Sequence, residues 1–342
     1  MTKRNSTTPL VAMATLAVYL LIPSPARAAD FYSGKTITFV VSDEAGGGYD
    51  TSTRLLAPYI QKFIPGKPTI VIQDEPGGGG LRAAQEIYAV VEKDGTKIGS
   101  LRASTMLDSV LNIRGGQIDP NKYEWIGNMT SDTDLCTFWY NAGVHSFADL
   151  KEKQVLVGAS GTGSHGFSFP NAINYVLDTK MKIIPGYKGI ADRVVAMEQG
   201  ELQGNCGLNS STITRGYPEL IAGGKLILLM QSGLHPYPAL PNVPLTQSFA
   251  TTEKQKRILV TIFSQMEIAR VLAAPPGTPK ERVEILRKAL MQALSDPGLI
   301  AEAKQLNFDL NQMSGEEVAE IVAQMPNLST ELKAEVRAAV GN

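Results

Sequence analysis

The sequence predicts an α/β protein made of two units of similar size. Three observations carry this: strand-like and helix-like stretches alternate almost throughout, the alternation restarts after Trp125, and three glycine-rich turns stand where a strand ends and a helix begins. Such alternation is the pattern of a parallel sheet with helices packed on both faces. With 342 residues, 43% hydrophobic and 19% charged, the chain is long and apolar enough for two cored domains.

"KTITFVV" (35–41) is rich in β-branched residues and predicts a buried strand. Leu55, Tyr59 and Phe63, with Leu56 and Ile60 beside them, recur at helical spacing. "PTIVIQ" (68–73) predicts a strand, residues 81–91 a helix, "TKIGSL" (96–101) a strand, and a short helix follows from Thr105. In the second unit "LCTFWY" (135–140) and "QVLVGA" (154–159) are strands around a short helix at "SFADLK". A helix over 166–177, a strand at "MKII", a helix over 191–200 and strands at "ELQGNCG" and "KLILLM" complete it. "LHPYPALPNVP" (234–244) predicts a surface loop. "IARVLAAPPGTPKERVEILRKAL" then gives a strand, a Pro/Gly turn and a helix with Val283, Leu286, Leu290 and Leu294 on one face, before an amphipathic helical stretch to Asn342. Strand counting assigns residues 29–130 with 228–342 to one domain and 131–227 to the other.

The first 28 residues are set apart. Lys3 and Arg4 precede an apolar run from Val11 to Ile22, and Ala26 and Ala28 form the small-x-small end of a secretory signal cut after Ala28. The run is shorter than the roughly 20 residues that span a bilayer. Export makes Cys136 and Cys206 a candidate disulfide; two buried free thiols are the alternative. The net charge of −1 gives no reason to expect nucleic acid as a partner.

"EAGGGYD", "EPGGGGLRAA" (75–84) and "GASGTGSHG" (158–166) each join a strand to a helix. Unpaired N–H groups at a helix start favour an anion, and glycine lets a ligand touch the backbone. Any one such turn is more simply a tight turn; three around one crevice point to a site. Nucleotide phosphate is a poor candidate: "PGGGGLRAA" lacks the G-K-[ST] ending of a P-loop. "GTGSHG" matches G-x-G-x-x-G, but no acidic residue closes the following strand. The three histidines after the signal, His145, His165 and His235, form no metal or nucleophile motif, and no cofactor signature is present. Asp43 and Glu44 are an acid/base pair or, more simply, a solvated loop edge.

With these motifs in hand, the chain resembles the solute-binding proteins of tripartite tricarboxylate transporters, the Bug or TctC family. The resemblance is carried, in order, by "KTITFVVSDEAGGGYD", "VIQDEPGGGGLRAA", "KDGTKIGSL", "VLVGASGTGS", "IPGYKGIAD", "MEQGELQGNCG" and "APPGTP". It implies a type II periplasmic-binding-protein-like fold, two α/β domains with the ligand in the cleft between them. It also implies a monomeric, non-enzymatic receptor in the periplasm that captures a small carboxylate and hands it to integral-membrane permease subunits. Carried over by motif, the first-domain contacts are Gly46, Gly47, Gly48 and Asp50, then Gly78 and Gly79, then Ser104 and Thr105. The second domain offers Ser160, Gly161, Thr162, Gly163 and Ser164, Tyr187 and Lys188, and Asn209.

Three departures bear on the ligand. Asp43 and Glu44 stand where the family has apolar residues or proline, Tyr49 replaces a small residue, and Asn209 stands where the family often has an acid. A carboxylate about 4 Å from an anionic ligand would oppose it by roughly 1–4 kcal/mol. Either Asp43 and Glu44 point to solvent or the ligand is less anionic than a tricarboxylate. A di- or tricarboxylate or an aromatic carboxylate is the expected substrate class. A periplasmic sensor without transport, or an enzyme using Asp43 and Glu44, are the alternatives.

Overall fold

In the computed structural model residues 31–113, 118–306 and 308–341 are described; the expected signal segment lies outside them. The strands among these are β1 (Thr36–Val41), β2 (Thr69–Asp74), β3 (Lys97–Leu101), β4 (Glu124–Asn128), β5 (Asp134–Trp139), β6 (Val155–Ala159), β7 (Met181–Pro185), β8 (Gly204–Asn209), β9 (Leu226–Ser232), β10 (Val271–Ala274) and β11 (Met313–Ser314). They form two sheets, ordered β11-β4-β10-β3-β1-β2 and β7-β6-β8-β5-β9.

Both sheets are mixed, where the sequence pattern predicts parallel ones. β1 runs parallel to β2 and β3, and β6 parallel to β7 and β8. β10 is antiparallel to β3 and β4, and β5 antiparallel to β8 and β9. β5 and β10 are the strands by which the chain enters one sheet from the other, with no crossover helix to impose a parallel course; the short β11 is antiparallel to β4 as well. β4, which the sequence reading passed over, is the last strand of the first sheet before the chain crosses, and β10 later comes between it and β3.

Apolar faces build the cores on both sides of each sheet. In the first, Leu55, Leu56 and Ile60 of the Gly48–Phe63 helix meet Leu286 and Leu290 of the Lys280–Leu294 helix and Ile37 and Phe39 of β1. Each such side chain, fully buried, contributes about 1.5–3 kcal/mol. Val40, Trp125, Val318 and Val322 form the opposite face. In the second, Phe138, Phe169 and Ile173 lie on one side of the sheet, and Leu135, Val194 and Leu208 on the other.

The chain after residue 227 does not return at once. β9 stays in the second sheet, and the Glu253–Phe263 and Thr330–Ala339 helices pack on the Phe138–Phe169 core. Two segments cross between the sheets and are bonded to each other: Met129 N–H donates to Arg270 O at 3.1 Å, Ala269 N–H to Thr130 O at 3.2 Å and Asp132 N–H to Met266 O at 2.8 Å. Cys136 and Cys206 are disulfide-bonded across β5 and β8.

Candidate functional site

The first glycine turn already holds an anion, and the anion is the chain's own. Asp43 is buried and bends back over the helix start; one carboxylate oxygen accepts the Tyr49 N–H at 3.1 Å, the other an Arg102 terminal N–H at 2.6 Å. A Cβ on Gly47 would lie 2.4 Å from that carboxylate, which is why no side chain is tolerated there. Gly46 N–H donates to Asp50 Oδ2 at 2.7 Å, Gly47 N–H to Glu44 O at 2.9 Å, and Asp50 pairs with Arg54 at 2.5 Å. Asp43 therefore neither points to solvent nor forms an acid/base pair with Glu44, which is exposed. The Tyr49 ring is buried with the guanidiniums of Arg102 and Arg270 at 4.8 and 4.0 Å from its centre.

The second turn is a run of left-handed backbone, with φ positive from Gly77 to Gly80. Gly78 is exposed, and Gly80 packs against Arg102 and Ser42. Thr105 is fully buried and its hydroxyl donates to Arg102 O at 2.6 Å, so it serves the start of the Ser104–Val110 helix.

In the third turn no backbone N–H is bonded to a carboxylate among the described residues; Asp134 lies beside it, on the His165 ring. Ser164 Oγ donates to Gly161 O at 2.7 Å, and behind the turn an Arg193 terminal nitrogen lies 2.8 Å from where a Cβ on Gly166 would be. Arg193 is buried and bonded to neutral Asn205, and burial lowers its pKa to about 10. Thr162 and Gly163 face Ser104 across a cavity of about 260 Å³ floored by Leu107, Leu111 and Ile113. Ser160 is exposed, Tyr187 packs against the Leu135–Leu208 core, and Lys188 is exposed with its N–H on Asp192.

A larger cleft of about 790 Å³ opens between the sheets, within the range of small-molecule sites. The crossing segments supply Thr130 to Thr133, Glu267 and Arg270, the first unit adds Gly48, Thr51 and Ser52, and the second adds Asn209, Ser211 and Thr212. Asn209 caps the Ser210–Gly216 helix through Thr212 N–H at 2.9 Å and donates to Asp132. Of the residues expected from sequence, the structure thus brings Gly48 and Asn209 to the large cleft, and Ser104, Thr162 and Gly163 to the smaller cavity.

The electrostatics of the cleft come from residues that sequence reasoning missed. Arg270 has no carboxylate within 4 Å among the described residues; it stacks on Tyr49, gives one N–H to Ala269 O at 3.1 Å, and its buried Nε has no partner. Burial, and then the Asp134 charge, push the Asp132 carboxyl up to about 7. Burial likewise raises Glu267, with His235 opposing. Asp134 itself is bonded to His165 Nδ1 at 2.9 Å. Among the described residues no group of three His, Cys, Asp or Glu is arranged to hold a metal ion, and no helix is long and apolar enough to cross a membrane.

The comparisons with known proteins fit this architecture. No protein-family model matches the chain. A TctC solute-binding protein from Polaromonas superposes with a TM-score of 0.66 at 20% identity, covering 90% of this chain and 99% of that one. The chain has the fold of the TctC solute-binding proteins. MatC from Rhodopseudomonas palustris with bound malate superposes with a TM-score of 0.65 at 18% identity, over 88% of this chain and 99% of MatC. In sequence the chain is similar to a UPF0065 protein in the TAR-I ttuE-ttuC' intergenic region of Agrobacterium vitis, 24% identical over 294 residues, 84% of this chain and 80% of that protein. The TctC-like neighbours are solute-binding proteins.

Proposed function

We propose that the chain belongs to the tripartite tricarboxylate transporter binding proteins and is an exported receptor that captures a small carboxylate between its two units and delivers it to a membrane permease. The observation that carries this is Arg270, a cation without a carboxylate partner among the described residues, on a cleft floor formed by the two crossing segments. A planar guanidinium held by an aromatic ring matches a carboxylate bidentately. MatC, of the same fold, binds malate. The domain division we propose follows the sheets, with 131–263 and the Thr330–Ala339 helix on the second-unit side. Closure of the units is driven by contacts that the ligand makes with both.

A thermal-shift screen against mono-, di- and tricarboxylates, aromatic ones included, tests this. Ligand at 100 times its Kd adds about 2.7 kcal/mol to the folded state. A raised midpoint with one carboxylate set, lost in Arg270→Ala, supports the reading; no shift with any, in protein free of co-purified ligand by native mass spectrometry, rejects it.

A further inference from the structure

We propose that the solute carries one carboxylate and one ammonium group, an amino-acid-like zwitterion, with Arg270 on the carboxylate and Asp132 on the ammonium. This rests on the receptor reading above and narrows its substrate class.

The argument begins with the charges that face the cleft. Arg215 and Asp309 are paired with each other, and Tyr237 also donates to Asp309 at 2.7 Å, so that pair has its own internal partners. What is left among the described residues is one cation, Arg270, against two carboxyls, Asp132 and Glu267, with His235 at the exposed rim. Neither carboxyl has a cation within 4 Å among the described residues. Among the described residues Asp132 receives neutral donors alone, the Asn209 amide and the Thr133 N–H at 2.8 Å, and each of its oxygens can accept more.

A dicarboxylate entering this cleft finds one unpaired guanidinium and then two carboxyls that repel it unless they hold protons. The first glycine turn is a poor place for its second carboxylate, because the Gly46, Gly47 and Tyr49 N–H groups are already taken by Asp50, Glu44 O and Asp43. The third turn opens on the separate cavity beneath Ser104. An ammonium beside Asp132 turns that repulsion into an ion pair, while Arg270 retains the carboxylate. Arg270 and Asp132 lie on the two segments that cross between the units, so a solute bridging them ties those segments together.

Asp132 is faced by Asp134, His165 and Arg270, and the balance leaves its carboxyl up at about 7. At neutral pH an incoming ammonium therefore expels a proton, whereas an incoming carboxylate draws one in. The direction of proton exchange is a readout that a merely structural Asp132 does not move.

The experiment is calorimetric titration of the purified protein with L-alanine, L-glutamate and L-phenylalanine, against succinate, malate and adipate, in buffers of different ionisation heat. The expected result is binding of at least one amino acid with proton release. Blocking its amine as the N-acetyl derivative should weaken it at least tenfold, and so should Asp132→Asn. That substitution should tighten any succinate binding, because it removes a carboxyl that opposes the second carboxylate. The N-acetyl control alters the ligand alone, so it decides the matter even if the variant folds poorly. Binding of dicarboxylates alone, with proton uptake, overturns the zwitterion and leaves the carboxylate receptor standing. No binding by either set, in ligand-free protein, overturns both.

Discussion

The turn at 43–48 and the turn at 160–164 share one design, a strand, glycines and a helix start, yet they end in opposite states. The first is filled: Asp43 sits on the helix N-terminus and is neutralised by Arg102. In the second no backbone N–H is bonded to a carboxylate among the described residues, and a buried Arg193 lies behind it. A glycine turn is thus an anion site only if the chain does not supply the anion. The difference rests on one residue, because a helix start accepts a carboxylate from the protein as readily as from a ligand.

The two units also differ in how they are held, and the largest expected effect comes from there. Cys136 and Cys206 close a loop with a sequence separation of 70 in the second unit. In the chain-entropy account that tie stabilises by about 4 kcal/mol. Denaturation with and without reductant should show a loss of this order. It should be seen first by Trp139 of the second sheet rather than Trp125 of the first, in variants that keep one tryptophan. Equal losses at both would mean that the units unfold as one.

Asp43→Ala sharpens the comparison of the turns. It removes a helix cap and leaves Arg102 without its partner, a loss of about 2–3 kcal/mol by denaturant unfolding. Asp43→Asn should recover about half, since Asn also caps but carries no charge. Gly47→Ala and Gly161→Ala set the same substitution in the two turns. At Gly47 a Cβ meets Asp43 at 2.4 Å and should cost about 1–3 kcal/mol. At Gly161 nothing lies within 4 Å, and the change should stay within about 0.5 kcal/mol.

The cleft supplies a smaller effect with a definite sign. Asp132 titrates at about 7 in the fold, above the ordinary carboxylate value. Between the two the folded state binds the proton more tightly, so stability falls as pH rises from about 4 to about 7. Asp132→Asn removes that loss. The variant should match wild type below pH 4 and exceed it at pH 8, measured by urea unfolding.

How much of this was legible in the sequence differs by residue. The β-branched run of β1 and the helical stripe of Leu55, Leu56 and Ile60 announce their elements, because periodicity encodes burial. β4 and the antiparallel course of β5 and β10 were hidden, since strand direction is set by where the chain enters a sheet and leaves no local pattern. The glycine turns were visible, but not that Asp43 folds back into one of them: a carboxylate before glycines reads alike whether it faces water, ligand or its own helix. Arg270 gave no signal either. It stands just before a short strand with no motif around it, and only the pairing of the crossing segments brings it beside Asp132 and Tyr49.

The most direct test of the contrast between the turns is chemical rescue of the first by acetate. It is done in an Arg270→Ala background, so that the cleft guanidinium does not contribute. Adding Asp43→Ala empties the turn, and acetate at ten times its Kd should then restore about 1.4 kcal/mol, seen as a raised unfolding midpoint. Arg270→Ala alone should not respond. Stabilisation of both proteins by the same amount, or of neither, would contradict the claim that Asp43 is the anion held at this turn.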